Sequence, residues 1–431
     1  MTAGAGRAPL RVEQALRLLP DVDALAPLRA FLISSSRPRQ ADTWATAEHY
    51  STVGKRLVQP ADLRARLPQA TARVAEHLTA LYGAAVDALE SEQRGDLSGA
   101  VEHLLRAGQL EEAVGRYAQA HGWYNHAFGV AEELRDRHPE IAALRHVGQL
   151  ERVRGHLDEG ARALQRSLVL AEAEMDSAGA ALACLGLGEV ALAQNQLGGA
   201  DSWFTRGLRH SESDRLLDAR LTLHLAEVAR QRGEVGLATD RLARARAWFE
   251  ELGDLAGAVE ALKAQGMLAA ADGRVADAMV AYREALQRLQ RGGGPAALEM
   301  LVRLSLCELH YETGRVPDAE AEMRRAEELA IAQNFPRQLA RLYVIMGKMR
   351  GREHDENGFI FFEMALRLCS GLEPAPRQEA EVYVEYGRFR IELGDKEEGR
   401  GYLERAREIL ELLGDTHGFK EVQADLATLT P

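Results

Sequence analysis

One small residue recurs along the chain at a nearly fixed interval. Gly115, Gly148, Gly188, Ala226, Gly266, Cys307, Gly347 and Gly387 stand 33, 40, 38, 40, 41, 40 and 40 residues apart. Each lies in a stretch that otherwise reads as helix, and a period of this size marks a repeat array in which every unit buries its apolar face against the next. A second small residue follows 11 or 12 positions later in each case: Ala127, Gly160, Ala200, Ala238, Ala278, Ala319, Gly358 and Gly399. Glycine inside a helix costs about 1 kcal/mol relative to alanine. So many of them imply points where two helices cross at close range.

Composition agrees with one folded array. Of the 431 residues 46% are hydrophobic and only 13 are proline, which excludes wholesale disorder. The net charge of −12 is uneven: residues 1–73 carry 11 Lys+Arg against 6 Asp+Glu, and the remainder 42 against 59. A surplus of +5 over the first 73 residues is too small to imply a nucleic-acid-binding protein, so nucleic acid is not expected as a partner except through this N-terminal extension. Cys184, Cys307 and Cys369 are odd in number and far apart, so they predict buried thiols, neither a disulfide framework nor a paired-cysteine zinc site. The N-terminus lacks the uninterrupted apolar core of a signal peptide, and no run reaches the roughly 18 apolar residues that span a membrane. The expectation is a cytoplasmic protein without membrane insertion.

Along the chain, residues 1–9 read as a tail. Short helices broken by Pro20, Pro27 and the SSSRPR stretch follow, since proline cannot continue a helix. After Pro60, Leu63, Leu67, Val74, Leu78 and Leu81 form one apolar helical face. Residues 61–120 resemble the passage that joins a degenerate winged-helix region to the helical repeats in bacterial signal-transduction ATPases and maltose-regulator-type activators. The phosphate-binding sequence of those ATPases is absent: Gly54-Lys55-Arg56 lacks both the preceding glycine and the hydroxyl residue for magnesium.

The small-residue pattern is similar to that of the tetratricopeptide repeat, a unit of about 34 residues with small residues at roughly positions 8 and 20 and proline at roughly 32. The first unit is assigned to 108–139, with Gly115 on its first helix, a turn at Gly122, Ala127 on its second helix and Pro139 closing it. Later units fall near 141–174, 181–213, 219–252, 259–291, 300–333, 340–371 and 380–413. They keep a turn residue, as in Gly155, Asn195, Gly233, Gly273, Gly314 and Gly394, and a large apolar residue four after the second small one. The resemblance implies an all-α, right-handed superhelical solenoid of tandem helix-turn-helix repeats. An N-terminal helical extension, 1–107, precedes eight repeats and a capping helix, 108–431. Two irregularities stand out. An extra residue near His354 precedes an aromatic-rich second helix, and RGGGP at 291–295 predicts a long joint between the fifth and sixth units.

No reaction is encoded by recognisable motifs. Gly186-x-Gly188 is preceded by no strand and already belongs to the repeat, so it predicts no dinucleotide cofactor; His121 and His126 lack the face-sharing spacing of a metal site. Neither a catalytic constellation, a cofactor nor a metal is expected. What remains is a surface. In tetratricopeptide proteins the first helix of each unit lines the concave side, with roughly positions 2, 5, 9, 12 and 13 facing the groove. Carried over, the polar candidates are Arg145, Gln149, Arg152, Glu189, Arg220, Glu227, Arg230, Gln231, Lys263, Glu308, Tyr311, Lys348 and Arg388, together with Glu260, Arg341, Glu312, Glu381 and Glu392. None of the four asparagines, Asn125, Asn195, Asn334 and Asn357, falls at a groove position, which disfavours the co-chaperone mode of binding an acidic C-terminal tail. The resemblance implies a non-enzymatic adaptor that holds a peptide or helix of another protein in its groove. The alternatives are a regulatory sensor whose array reads a peptide, ligand or effector, and a scaffold that self-associates as a homo-oligomer.

Overall fold

The computed structural model describes residues 15–20, 72–211, 214–333, 335–352, 358–370 and 376–429. Among them are eighteen α-helices and no strands. A 3-10 turn, Leu16–Leu18, precedes α1 (Ala72–Gln93), α2 (Leu97–Ala113), α3 (Tyr117–Ala131), α4 (His138–Arg154), α5 (Leu157–Ala173) and α6 (Ser177–Ala193). Then come α7 (Leu197–His210), α8 (Arg215–Gln231), α9 (Val235–Glu251), α10 (Leu255–Ala271), α11 (Val275–Gly292) and α12 (Ala296–Glu312). The chain closes with α13 (Val316–Gln333), α14 (Pro336–Arg352), α15 (Gly358–Ser370), α16 (Pro376–Glu392), α17 (Lys396–Leu412) and α18 (Thr416–Ala427). The chain divides into two compact units, one of residues 1–150 and 162–179 and another of 151–161 and 180–431.

One local device makes most of the turns. A residue with positive φ ends the helix, and the next N–H bonds a carbonyl five residues back, satisfying acceptors that the helix leaves open. Gly115 (φ 80°) with Arg116 N–H to Glu111 O at 2.9 Å, and Gly253 (φ 70°) with Asp254 N–H to Phe249 O at 2.9 Å, are two instances. Between units the following residue is often aspartate, whose carboxylate caps the next helix: Asp254 accepts from the N–H of Gly257 at 3.0 Å and Asp415 from that of Gly418 at 3.0 Å. The recurring Gly-Asp pair thus stops one helix and starts another. Asp254→Ala is expected to lower stability by about 1 kcal/mol, the worth of such a cap; an unchanged denaturant midpoint would contradict it.

The close crossings lie at the small-residue markers. A Cβ placed on Gly108, Gly188, Gly266 or Gly347 would come within 2.3, 2.3, 2.4 and 2.5 Å of the rings of Tyr124, Phe204, Tyr282 and Phe362 respectively. Each ring belongs to the second helix of the same hairpin. Ala226 and Cys307 mark hairpins whose second helices carry Leu242 and Met323 instead. Every aromatic at this position faces a glycine, because only the absence of Cβ lets a flat ring lie on the neighbouring backbone.

That rule corrects the first repeat. Gly115 is a turn residue, Gly122 lies inside α3 against Leu18, and the crossing is made by Gly108 with Tyr124. The first hairpin is therefore α2 with α3, and Gly108 extends the 40-residue period back from Gly148. In front of it, Tyr82 of α1 donates to the carbonyl of Pro20 at 3.1 Å, and Ala15 and Leu19 are buried. Residues 15–20 thus dock on the helices that follow. The winged-helix resemblance, apart from the part of it from residue 72 onward, lies outside the described residues, as does His354.

In the second unit the RGGGP joint is short and packed. Gly293 (φ 64°) ends α11, Pro295 immediately precedes α12, and one core runs through Tyr282, Leu286 and Leu289 to Leu298, Val302 and Leu306. The aromatic-rich second helix of the seventh repeat is likewise ordered by its neighbours. Phe362 stacks on Tyr386 at 4.9 Å and 7°, Tyr386 on Tyr402 at 4.3 Å, and Phe359 meets Phe389 edge-on at 5.2 Å. These rings fill the space between α15, α16 and α17. Helix α18 packs on α17 and buries Val422 beside Leu403 and Leu410.

Candidate functional site

In the first unit, Arg145 and Gln149 lie together on α4, their Nη1 and Oε1 3.5 Å apart. His146 between them stacks on Tyr124 at 5.2 Å, and burial, then the neighbouring Arg145, pulls its pKa down to about 3. Burial likewise lowers the pKa of Arg145. Burial and the Arg145 charge both favour the neutral form of His146, which also lies 3.3 Å from Gln109 Nε2.

In the second unit, Arg152 Nη2 is 3.2 Å from Glu189, which also lies 3.4 Å from His224. On α8, Glu227 accepts from Arg230 at 2.6 and 2.8 Å and from Gln231 at 2.7 Å. These three side chains satisfy one another. Arg220 is exposed and has no ion-pair partner among the described residues. The Tyr311 hydroxyl donates to the carbonyl of Met349 at 3.2 Å, tying the sixth repeat to the seventh.

Further along the second unit a cavity of about 730 Å³ opens between first helices. Its walls come from α12, α14, α16 and α18, with Val153 at the end of α4, and Leu410 is its single lining residue from the second helix of a hairpin. Val344, Ile345, Val382 and Val384 give it an apolar floor, and Glu308, Arg341, Lys348, Glu381, Glu385 and Arg388 give it charge. Three expected groove residues, Glu308, Lys348 and Arg388, therefore converge here, with Arg341 and Glu381.

Most of the charges are paired. Lys348 Nζ lies 2.9 Å from Glu385, and Arg388 holds Glu385 at 3.2 Å and Asp425 at 2.8 Å. Arg341 differs: it lines the cavity, is exposed, and has no ion-pair partner within 4 Å among the described residues. Its charge nevertheless acts on Glu308, Glu381 and Lys263. Burial pushes both glutamates above the usual carboxylate range despite the nearby cations, and it lowers Lys263. Glu381 is open to solvent at its tip, but concave walls surround it, so water is displaced even where the surface is accessible.

Arg337, Arg377, Asp415 and His417 also line the cavity and were not anticipated. A signal for the arginines exists: Pro-Arg-Gln recurs at 336–338 and 376–378, one period apart at the start of α14 and α16. The helices are also tied there, since Gln378 Nε2 donates to the carbonyl of Arg337 at 2.7 Å.

The raised pKa values carry a sign. A carboxyl whose folded pKa exceeds its unfolded value contributes stability below the unfolded pKa, and that contribution disappears as pH rises through the folded pKa. Glu308→Gln is therefore expected to raise Tm relative to wild type at neutral pH, and to leave it unchanged at about pH 3, below the unfolded pKa, where the glutamate is protonated in both states. A lower Tm at neutral pH would show that its pairing outweighs its burial.

Among the described residues no group of three His, Cys, Asp or Glu side chains is placed to hold a metal, and no helix is long and apolar enough to cross a membrane. No protein-family model matches the chain, and no curated protein does. Solved structures do. The Rap conjugation gene regulator of the plasmid pLS20, in complex with the Phr* peptide, superposes with a TM-score of 0.52 at 13% identity, over 94% of this chain and 98% of that one. A Rap protein complexed with competence and sporulation factor gives 0.49 at 12%, over 95% and 99%. Yeast Tom70 gives 0.43 at 10%, over 96% of each chain. The first of these likenesses establishes a tetratricopeptide-like helical-repeat fold.

Proposed function

We propose that the chain is a non-enzymatic adaptor whose second unit holds a segment of a partner protein in the cavity between α12, α14, α16 and α18. One observation carries this reading: Arg341 stands in a concave, partly apolar wall without the carboxylate partner that its neighbours Lys348 and Arg388 have. A guanidinium in such a setting is built to take a carboxylate through its planar fork. The apolar floor at Val344 and Val382 receives a side chain beside it. Its size suits a few residues of an extended peptide or one face of a helix. The peptide bound by the Rap regulator gives a precedent for the fold, and no residue is carried over from it. In the related sensor reading the same occupied groove would signal onward.

The test is site-directed photo-crosslinking in the native host. A crosslinker at Val344, inside the cavity, is compared with one at the exposed Val280 of α11. The expected product maps from Val344 to one short segment containing an acidic residue, and it is lost in Arg341→Glu. Crosslinks from Val280 alone, or a Val344 product indifferent to Arg341→Glu, would overturn the reading.

A further inference from the structure

Two turns near the beginning of the second unit touch its last helices. The hairpin turn after α6 places Asn195 Nδ2 3.2 Å from His417 Nδ1 on α18, across 222 residues of chain. Arg377 on α16 donates from both terminal nitrogens to the carbonyl of Ala193 at 3.4 Å, across 184 residues. Its Nη2 also lies 3.1 Å from Asp415, the buried N-cap of α18. The turn at Gly155 meets the same place: a Cβ there would lie 3.1 Å from Leu413. One guanidinium thus joins the C-terminal end of α6, where cations are favoured, to the start of α18.

The backbone at Asn195 adds an independent observation. Its φ is 57°, while the equivalent turn positions at 115, 155, 233, 273, 314 and 394 are all glycine. An asparagine tolerates this left-handed conformation at some cost, and glycine adopts it freely. Glycine would serve the turn at least as well. What asparagine supplies is the amide that reaches His417, whose Nε2 in turn faces Glu421 at 3.3 Å.

We infer that these contacts form a clasp that closes the second unit on itself and opens reversibly. Val153, Arg377, Asp415 and His417 also line the cavity, so opening the clasp parts its wall. The clasp therefore sets the width of the cavity, whatever fills it. Among the described residues the contacts that hold it are few and, apart from Leu413 at the Gly155 turn, polar; that between Asn195 and His417 is exposed. Such a closure is labile by construction, in contrast to the apolar cores that join successive hairpins.

Its test needs no partner. Cys184, Cys307 and Cys369 are buried, so spin labels attach selectively at Gln196→Cys and Lys420→Cys on the exposed sides of the two ends. Distances are measured by pulsed electron resonance in the full chain. The expected distribution is dominated by one short distance. Asn195→Gly, which eases the turn, and Arg377→Glu, which repels Asp415, should each add a longer distance. Each should raise the open-to-closed ratio about tenfold, the change that about 1.4 kcal/mol represents. Raising salt to about 1 M should act in the same direction through Arg377, because the screening length falls to about 3 Å. Circular dichroism should show the helix content of both variants unchanged. A distribution that is already broad in the wild-type background, or one identical in both variants, would overturn the clasp.

Discussion

Gly188→Ala should destabilise the third hairpin by about 1–3 kcal/mol, the range for forcing a methyl into a packed interior. The added Cβ meets the Phe204 ring at 2.3 Å, and Phe204 is itself fully buried and stacked on His224 at 5.1 Å, so the ring has nowhere to retreat. Phe204→Leu alone leaves unfilled space above the glycine and should also destabilise. The pair should partly compensate, because alanine facing leucine is the arrangement already present at Ala226 and Leu242 in the next repeat. Denaturant unfolding of the four proteins in the cycle gives the coupling energy directly. A coupling within about 0.5 kcal/mol of zero would mean that the two residues act independently and that the glycine is not there for the ring.

The second large effect concerns binding. Arg341→Glu is expected to weaken binding of the segment identified by crosslinking by at least about 30-fold, since hot-spot losses begin at about 2 kcal/mol and each 1.4 kcal/mol is tenfold. The substitution removes the unpaired cation and places a third carboxylate near Glu308 and Glu381, which burial already holds above the usual range. Lowering the pH toward the acid range should partly restore binding, as these carboxyls take up protons. Lys348→Ala is expected to cost less, because Lys348 is committed to Glu385 on the protein itself. Calorimetric titration of the synthetic segment separates the two variants. Equal losses would show that general positive charge, and no specific contact with Arg341, holds the ligand.

Much of the fold is legible in particular residues of the sequence. The glycine markers Gly188, Gly266, Gly347 and Gly387 lie at close crossings, and the spacing of the markers reveals the hairpins. Gly115 reads as a crossing point from residue type alone and is a turn residue in the fold, because glycine serves two purposes here, leaving room inside a helix and turning the chain beyond its end. Gly115, Gly122, Ala127 and Pro139 also satisfy the shorter consensus, which competes with the 40-residue period pointing to Gly108. For the site, consensus positions reached Glu308, Lys348 and Arg388 but passed over Arg337 and Arg377, which sit in the first turns of their helices.

The helical repeat follows from residues acting locally: small residues at the crossings, glycine or asparagine at the turns, aspartate at the caps. These are local requirements of backbone geometry and packing, and one residue suffices to express each. Which charges are spoken for depends on the folded arrangement. Lys348, Arg388 and Arg341 look alike in the repeat pattern, yet the first two are neutralised by Glu385 and Asp425 and the third is not. The clasp is further still from the sequence, since Asn195 and His417 meet across 222 residues. Pairing and closure depend on how successive hairpins accumulate in space, and the sum of many small rotations is written in no single repeat.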